Sequence, residues 1–284
     1  MGVIIIQIRR PLLIILMFVV AISFIITNNT KNDEELNDKI ITIQGVVKGK
    51  IEKKRYNQYK VGVFLINDYT KNKNLKIGQK VNITGKFKSL DKMKYDDFDY
   101  GRYIKSTGYK GIVYINNYKI IDKNKLYSLI GEIKFYISKT YRYLYKKNSD
   151  FINSILLAEV ENLTEEQKEI FTRTGTSHVI SISGLHTGIL CVIISFLLRG
   201  INKLYKLLIL SIFITLYCIM VGASPSIIRS IAFVMIFYLS IFIDRKKDGI
   251  SALSLIGIIL IMNNPYVIYN VSFQLSFLAT LSIL

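Results

Sequence analysis

Both histidines of the chain, His178 and His186, fall within residues 171–190, FTRTGTSHVISISGLHTGIL, among Ser177, Ser181, Ser183, Gly184 and Gly188. Two chemistries suit residues of this type. Histidines eight apart on a helix lie within about 80° of each other and can share a metal. A metal wants a third ligand, and the helix offers only Cys191, five residues beyond His186. Ser183 and His186 are three apart, a spacing that permits contact along a helix, and a serine nucleophile needs a base so placed. The base needs an orienting acid and the reaction an oxyanion site, but no acid or further histidine lies within another apolar run. No catalytic residue and no metal are therefore expected. The remaining reading is that small and hydroxyl residues let helices approach closely and face protein or water, because they are costly against lipid. His178, Ser181, Ser183, Gly184 and His186 then line a polar path.

The elements that must position this stretch are apolar runs. The chain of 284 residues is 51% hydrophobic, high for a soluble protein, and the apolar residues concentrate at 11–26 and from 179 onward. The first run follows Arg9 and Arg10 and has no small-residue cleavage site behind it, so it reads as an uncleaved anchor with its start on the cytoplasmic side. Later runs cover 177–198, 207–221, 226–243, 250–262 and 267–284. The connectors around 199–206 and 244–247 are short and basic, whereas 222–225 and 263–265 carry no cation. With the amino terminus inside, every short basic loop also falls inside. The long block 28–176 then lies outside. The chain stops at Leu284 within an apolar run, which reads as a fragment. Cys191 and Cys218 sit in apolar runs without metal or redox spacing and read as small packing residues.

The outer block begins with a polar linker, residues 28–39. From 40 to 121 the pattern is that of short strands: Ile41, Ile43 and Val46–Val47; Tyr59, Val61, Val63 and Leu65 in strict alternation; Val81, Ile83 and Phe87; then 112–115 and 118–121. Alternation marks half-buried strands. About five short strands in this length fit a small OB-type barrel, interrupted at 96–106 by a stretch able to form a short helix. Leu126, Leu129, Ile130, Ile133, Tyr136 and Ile137 recur at helical spacing beside Lys134, Lys139, Arg142, Lys146 and Lys147. This basic amphipathic helix either lies on the outer membrane surface or packs on the barrel. Thr164 and Gln167 frame a capping box.

Two groups of cations stand out. Net charge is +18, and residues 48–147 hold 25 Lys and Arg against 8 Asp and Glu. An excess of this kind suits a polyanionic partner, nucleic acid or anionic lipid, although Ile, Lys, Asn and Tyr are abundant throughout, as a compositional bias would give. Lys53, Lys54, Arg55, Tyr56, Tyr59 and Lys60 interleave basic and aromatic residues, a pattern that tracks a backbone and stacks bases, or else a solvated hairpin tip. Ser224 and Pro225 suit the start of a helix. Arg229 then falls in its first turn, where the helix dipole disfavours a cation. It reads as an anion-facing residue at the mouth of a pathway, against snorkelling as the alternative. Gln274 is a weaker case of the same kind.

Three segments resemble the ComEC-type competence proteins, DNA-uptake channels of the bacterial inner membrane. Residues 98–108, FDYGRYIKSTG, look like the FDY…YL…G signature of that family's external OB domain. Residues 174–186, TGTSHVISISGLH, are similar to its TGxxHLLAISGLH segment. Residues 223–229, ASPSIIR, and 273–279, FQLSFLA, are similar to its SPSxxRA and FQLSFLA segments. The resemblance implies an integral membrane α-helical transmembrane bundle with an inserted small all-β, OB-like extracytoplasmic domain. Its parts are an anchor at 1–27, the linker, the barrel at 40–121, amphipathic helices at 122–176 and a polytopic domain at 177–284. It implies passage of single-stranded DNA across the cell membrane, with lipid, other uptake machinery and self-association as further partners and no cofactor. Family members usually add further helices, and many add a metallo-β-lactamase-like domain; no HxHxDH cluster occurs here, so the chain is not expected to be an enzyme. The alternatives are a membrane-anchored nucleic-acid-binding module without transport, and an intramembrane hydrolase using Ser183 and His186.

Overall fold

Alternating strands close into a barrel. In the computed structural model, which describes residues 11–29, 33–53, 55–95, 98–176, 184–222, 227–229, 231–232, 235–236 and 248–283, the strands are β1 (Ile40–Glu52), β2 (Asn57–Val61), β3 (Phe64–Asp68), β4 (Gln79–Lys88) and, after a two-residue ribbon of β5 (Lys94–Tyr95) and β6 (Phe98–Asp99), β7 (Gly111–Lys123). The barrel order is β1-β2-β3-β7-β4, with β4 returning to β1. Only the β3–β7 pair in it is parallel. Every second residue of β4 points inward. These residues join Val47, Tyr59, Val61, Ile66, Leu75 and Val113 in one core. Closure gives each barrel strand two neighbours.

Two strand expectations change. Residues 59–65 are not one strand but a hairpin, because Gly62 takes φ +58°, open to glycine at little cost. Val61 pairs with Phe64, and Val63 sits exposed at the turn. Conversely, 112–115 and 118–121 belong to a single strand. The ladder runs Ile115–Gly85, then Asn117–Thr84, so a bulge absorbs Asn116 and pairing continues. The short helix expected at 96–106 is α2 (Tyr100–Ser106), which Asp99 caps by accepting from the Arg102 amide at 2.8 Å. It packs Ile104 on Leu65, Leu90 and Ile112 outside the barrel.

The helices follow from apolar composition and caps. They are α1 (Pro11–Asn29), α3 (Lys125–Tyr145), α4 (Ser149–Leu157), α5 (Glu165–Arg173), α6 (Gly184–Leu197), α7 (Lys203–Val221), α8 (Gly249–Asn263) and α9 (Val271–Ile283). Asn124 caps α3, and Thr164 with Gln167 forms the expected reciprocal capping box of α5. Among the described residues, α1 and α7 are long and apolar enough to cross a bilayer, and the apolar parts of α6, α8 and α9 are shorter. Residues 177–183 and most of 226–243 lie outside the described residues. The last helix starts later than the apolar pattern suggests. Pro265–Tyr269 forms a 3₁₀ turn, flanked by Asn264 and Asn270 as caps, because proline favours a first helical position and interrupts a continuing helix.

That turn gathers the molecule. Leu16, Val19 and Val20 of α1 pack with Ile256, Leu260 and Ile261 of α8 and with Phe273. Ser23 donates to the Pro265 carbonyl at 2.7 Å, and Thr27 shares a hydrogen bond with the Tyr269 hydroxyl at 3.0 Å. From the barrel side, α2 docks on the same turn. Asn264 donates to the Lys105 carbonyl at 2.9 Å, Asn270 donates to the Ser106 hydroxyl at 3.1 Å, and the Arg102 guanidinium lies over the Tyr269 ring. The carboxyl end of α7 also adjoins the outer block, through the Tyr217 hydroxyl donating to the Leu156 carbonyl at 3.1 Å.

Candidate functional site

The residues offered for nucleic-acid contact separate. Lys53 follows β1, and Tyr56 precedes β2, at one hairpin tip. The Lys53 amine donates to the Tyr56 hydroxyl at 3.0 Å and lies over its ring. Arg55 is exposed beside them, and Lys54 lies outside the described residues. Tyr59 does not belong to this surface. It is 0% exposed in the barrel core, and its hydroxyl donates to the Lys73 carbonyl, so its ring has no face left for a base. The reason is the strand's period of two: Tyr59 alternates inward with Val61. Lys60 points to the other side. Burial pulls its amine below the usual lysine range, opposed by nearby Glu161.

An aromatic run takes the place of Tyr59. Tyr56 and Tyr69 have ring centroids 4.8 Å apart, and Tyr69 continues to Tyr114 at 5.8 Å. These rings sit where β2, β3 and β7 lie side by side. Asn67 of β3 pairs with Gln58 on one side and Tyr114 on the other, and Lys86 of β4 pairs with Tyr114. Gln58 donates to Asn67 at 2.9 Å beneath the run. Tyr69 is 55% exposed, so the run presents aromatic surface to solvent. Its signal in the sequence was slight: Tyr69 and Tyr114 lie far from the basic cluster in the chain and meet Tyr56 only through strand pairing.

The neighbouring groove differs in charge. A cavity of about 490 Å³ beside the β1–β2 tip is lined by Lys53 and Lys168 but also by Glu52, Glu161 and Glu165. Hydrogen bonding and attraction from Lys50, 2.6 Å away, hold the Glu52 carboxyl below its ordinary range. Three carboxylates make this groove a poor seat for a polyanion.

The path-lining candidates are only partly in view. His178, Ser181 and Ser183 lie outside the described residues. Gly184 opens α6, and His186 is half-buried two residues on. Among the described residues no three His, Cys, Asp or Glu gather as a metal site. Arg229 is engaged by a neighbouring helix. It is half-buried, and its guanidinium donates to the Ser276 carbonyl and to the Thr280 hydroxyl, the latter at 2.6 Å. Two neutral acceptors on α9 satisfy part of the fork and bind Arg229 to that helix, an alternative to snorkelling that chain order gave no means to foresee. Gln274 is exposed on α9, with its amide donating to the Ile268 carbonyl at 2.7 Å. Arg229 and α9 are thus brought together, while the Lys53–Tyr56 tip stands apart on the barrel.

Residues 155–284 match the model of the family described as Competence protein. The chain is 26% identical over 164 residues to ComE operon protein 3 of Bacillus subtilis, covering 57% of this chain and 21% of that protein. It is 31% identical over 124 residues to an uncharacterized protein of Aquifex aeolicus, covering 43% of this chain and 29% of the relative. The chain therefore spans less than a third of the length of either. Among solved structures, an aspartyl tRNA synthetase from Entamoeba histolytica aligns over 66% of this chain and 44% of its own at a TM-score of 0.24 and 11% identity, too low to bear on the fold. The family match through residues 155–284 and the likeness to ComE operon protein 3 together support a ComEC-type competence protein.

Proposed function

We propose that this chain is part of a channel that takes single-stranded DNA across the bacterial cytoplasmic membrane during natural transformation. The barrel, OB-like in its strand order, receives the strand outside, with residues 28–176 extracytoplasmic. The helices from 177 onward form part of the path, and α1 anchors the chain. The observation that carries this reading is the docking of α2 on the 264–270 turn. In a chain of the competence family, it seats a barrel with an aromatic run over one end of the apolar helices. The outer block adjoins the carboxyl ends of α8, through α2, and of α7, through α4, and the carboxyl end of α1 meets the same 264–270 turn, in keeping with the orientation that basic connectors imply.

The physics of the task fits these parts. Phosphates do not enter lipid bare, so a strand needs a wet path with cationic or dipolar walls. Bases stack on tyrosines without sequence preference, while cations track the backbone. Tyr56, Tyr69 and Tyr114 supply the rings, and Lys53 and Arg55 the charge. The full chain in lipid nanodiscs should bind a fluorescent single-stranded oligonucleotide with an affinity that falls steeply as salt rises. Absent or salt-independent binding overturns the DNA role of the barrel.

A second reading is a membrane-anchored binding module that does not conduct. The hydrogen bonds from Arg229 to Ser276 and Thr280 favour it, since a tied arginine serves packing. DNA uptake by transformable cells separates the two. Loss of uptake on His186→Ala and Arg229→Ala, with normal insertion and an unchanged melting temperature, supports conduction, and normal uptake by both variants favours the anchor.

A further inference from the structure

Helix α3 has two apolar faces, and only one is covered by the described residues. Ile130 and Ser138 are buried, and Lys134 and Ile137 are half-buried. This side meets the barrel at Ile77, which a Cβ on Gly131 would touch at 3.1 Å. It meets α4 through Asn153, which donates to the Ser138 hydroxyl at 3.1 Å. The apolar periodicity around Ile130 thus belongs to the barrel. Away from it runs a second stripe of Leu126, Leu129, Ile133 and Tyr136, three or four apart, continued seven residues on by Tyr143 with Leu144 beside it, all between 45% and 81% exposed. Residues at such spacing share one face of a helix. A bare stripe of this size on a helix of 21 residues marks an interaction surface.

Charge and position say what covers it. Between 125 and 147 Glu132 is the single acid, whereas Lys125, Lys139, Arg142, Lys146 and Lys147 are all exposed cations. Long basic side chains extend from the flanks of an apolar stripe toward headgroups. The helix is also held at a fixed level. Its partner α4 accepts the Tyr217 hydroxyl at the carboxyl end of α7, a helix long enough to span. On the reading that α7 crosses the bilayer, this bond sets α4, and α3 beside it, at the membrane's outer edge. We propose that α3 lies in the outer headgroup layer of an anionic bilayer, with the Leu126–Leu144 stripe among the acyl chains and the opposite face bearing the barrel. The helix is then a two-sided spacer that fixes the barrel's height above the membrane.

Depth-resolved fluorescence on the full chain tests this. In a background of Cys191→Ala and Cys218→Ala, single reporters are attached at Leu129→Cys, Tyr136→Cys, Lys139→Cys and Ile212→Cys. The protein is reconstituted in vesicles of phosphatidylethanolamine and phosphatidylglycerol. Ile212, exposed midway along α7, reports the span itself. Lipid carrying a nitroxide near its headgroup should quench the Leu129 and Tyr136 reporters strongly and aqueous iodide weakly, with the opposite pattern at Lys139. Exchanging phosphatidylglycerol for phosphatidylcholine should reduce the lipid quenching at both stripe positions, and an unchanged value overturns the anionic part. If Leu129 and Tyr136 behave like Lys139, the stripe faces water and the proposal is wrong. Shielding from both quenchers means that protein covers the stripe, which also overturns it. If a nitroxide deep in the acyl chains fails to quench Ile212, the membrane-spanning reading falls first and takes this proposal with it.

Discussion

The Asn270 amide donates to the Ser106 hydroxyl at 3.1 Å, joining residues 164 apart in the chain, while its carbonyl oxygen accepts from the Phe273 amide and caps α9. One side chain, 4% exposed, thus ties the barrel's α2 to the helix that receives Arg229. The two roles are separable. Asn270→Asp keeps an oxygen for the cap and loses the donor, whereas Asn270→Ala loses both. Each lost bond at a buried site costs about 1–2 kcal/mol. Thermal unfolding of the detergent-solubilised chain should rank the wild type above Asp and Asp above Ala. Equal melting of all three would mean that the joint contributes nothing.

The tyrosine run makes a different prediction. Tyr69→Ala removes the middle ring, and stacking on one aromatic is worth about 1–3 kcal/mol. Affinity for a single-stranded oligonucleotide should fall about fivefold or more, with the melting temperature nearly unchanged. Tyr59→Ala should do the reverse in character. Emptying a fully buried core position costs about 3–5 kcal/mol, so the barrel melts early, and any loss of binding follows unfolding. A Tyr69→Ala chain that binds as tightly as the wild type would remove the run from the interface.

These two tyrosines mark how far sequence reading reached. The strand pattern of β4 was plain, because one face is buried and the period is two. The hairpin was hidden because Val61, Val63 and Leu65 keep the alternation through the turn, and only the backbone of Gly62 reveals it. Tyr59 sat in the basic cluster by chain order, yet alternation puts it inside. Tyr69 and Tyr114 were invisible as a site because parallel pairing of β3 with β7 brings them together, and a long-range register leaves no local mark. The helices were legible from composition. The late start of α9 depends on Asn264 and Asn270, whose capping is read only once their partners are seen.

Lys60 offers a test by pH. Burial holds its amine below the ordinary lysine range, with Glu161 opposing the shift and Lys134, shifted the same way, close by. A lysine with a lowered folded pKa costs stability at every pH below that value, because both folded and unfolded chains are then protonated. The cost fades as pH rises from the folded pKa through the unfolded one, since there the unfolded chain binds more protons. Lys60→Met should therefore raise the melting temperature at about pH 7, and the gain should shrink as pH approaches about 10.5. A loss of stability at neutral pH would show that attraction to Glu161 outweighs desolvation.

Arg229 carries the sharpest division between conduction and packing. Its fork reaches Ser276 and Thr280 on α9, geometry that lysine, a point charge on a flexible stem, does not reproduce. If the charge serves phosphate, Arg229→Lys keeps most DNA uptake and Arg229→Ala abolishes it. If the tie serves helix packing, Lys fails nearly as Ala does, and both lower the melting temperature by a similar amount. Thr280→Val completes the comparison: it removes one acceptor and leaves the charge. Under the charge role it leaves uptake near wild type. Under the packing role it loses part of the stability that Arg229→Ala loses, at about 1 kcal/mol, and uptake falls in proportion. Transformation frequency read beside the melting temperature for the three variants decides which role Arg229 has.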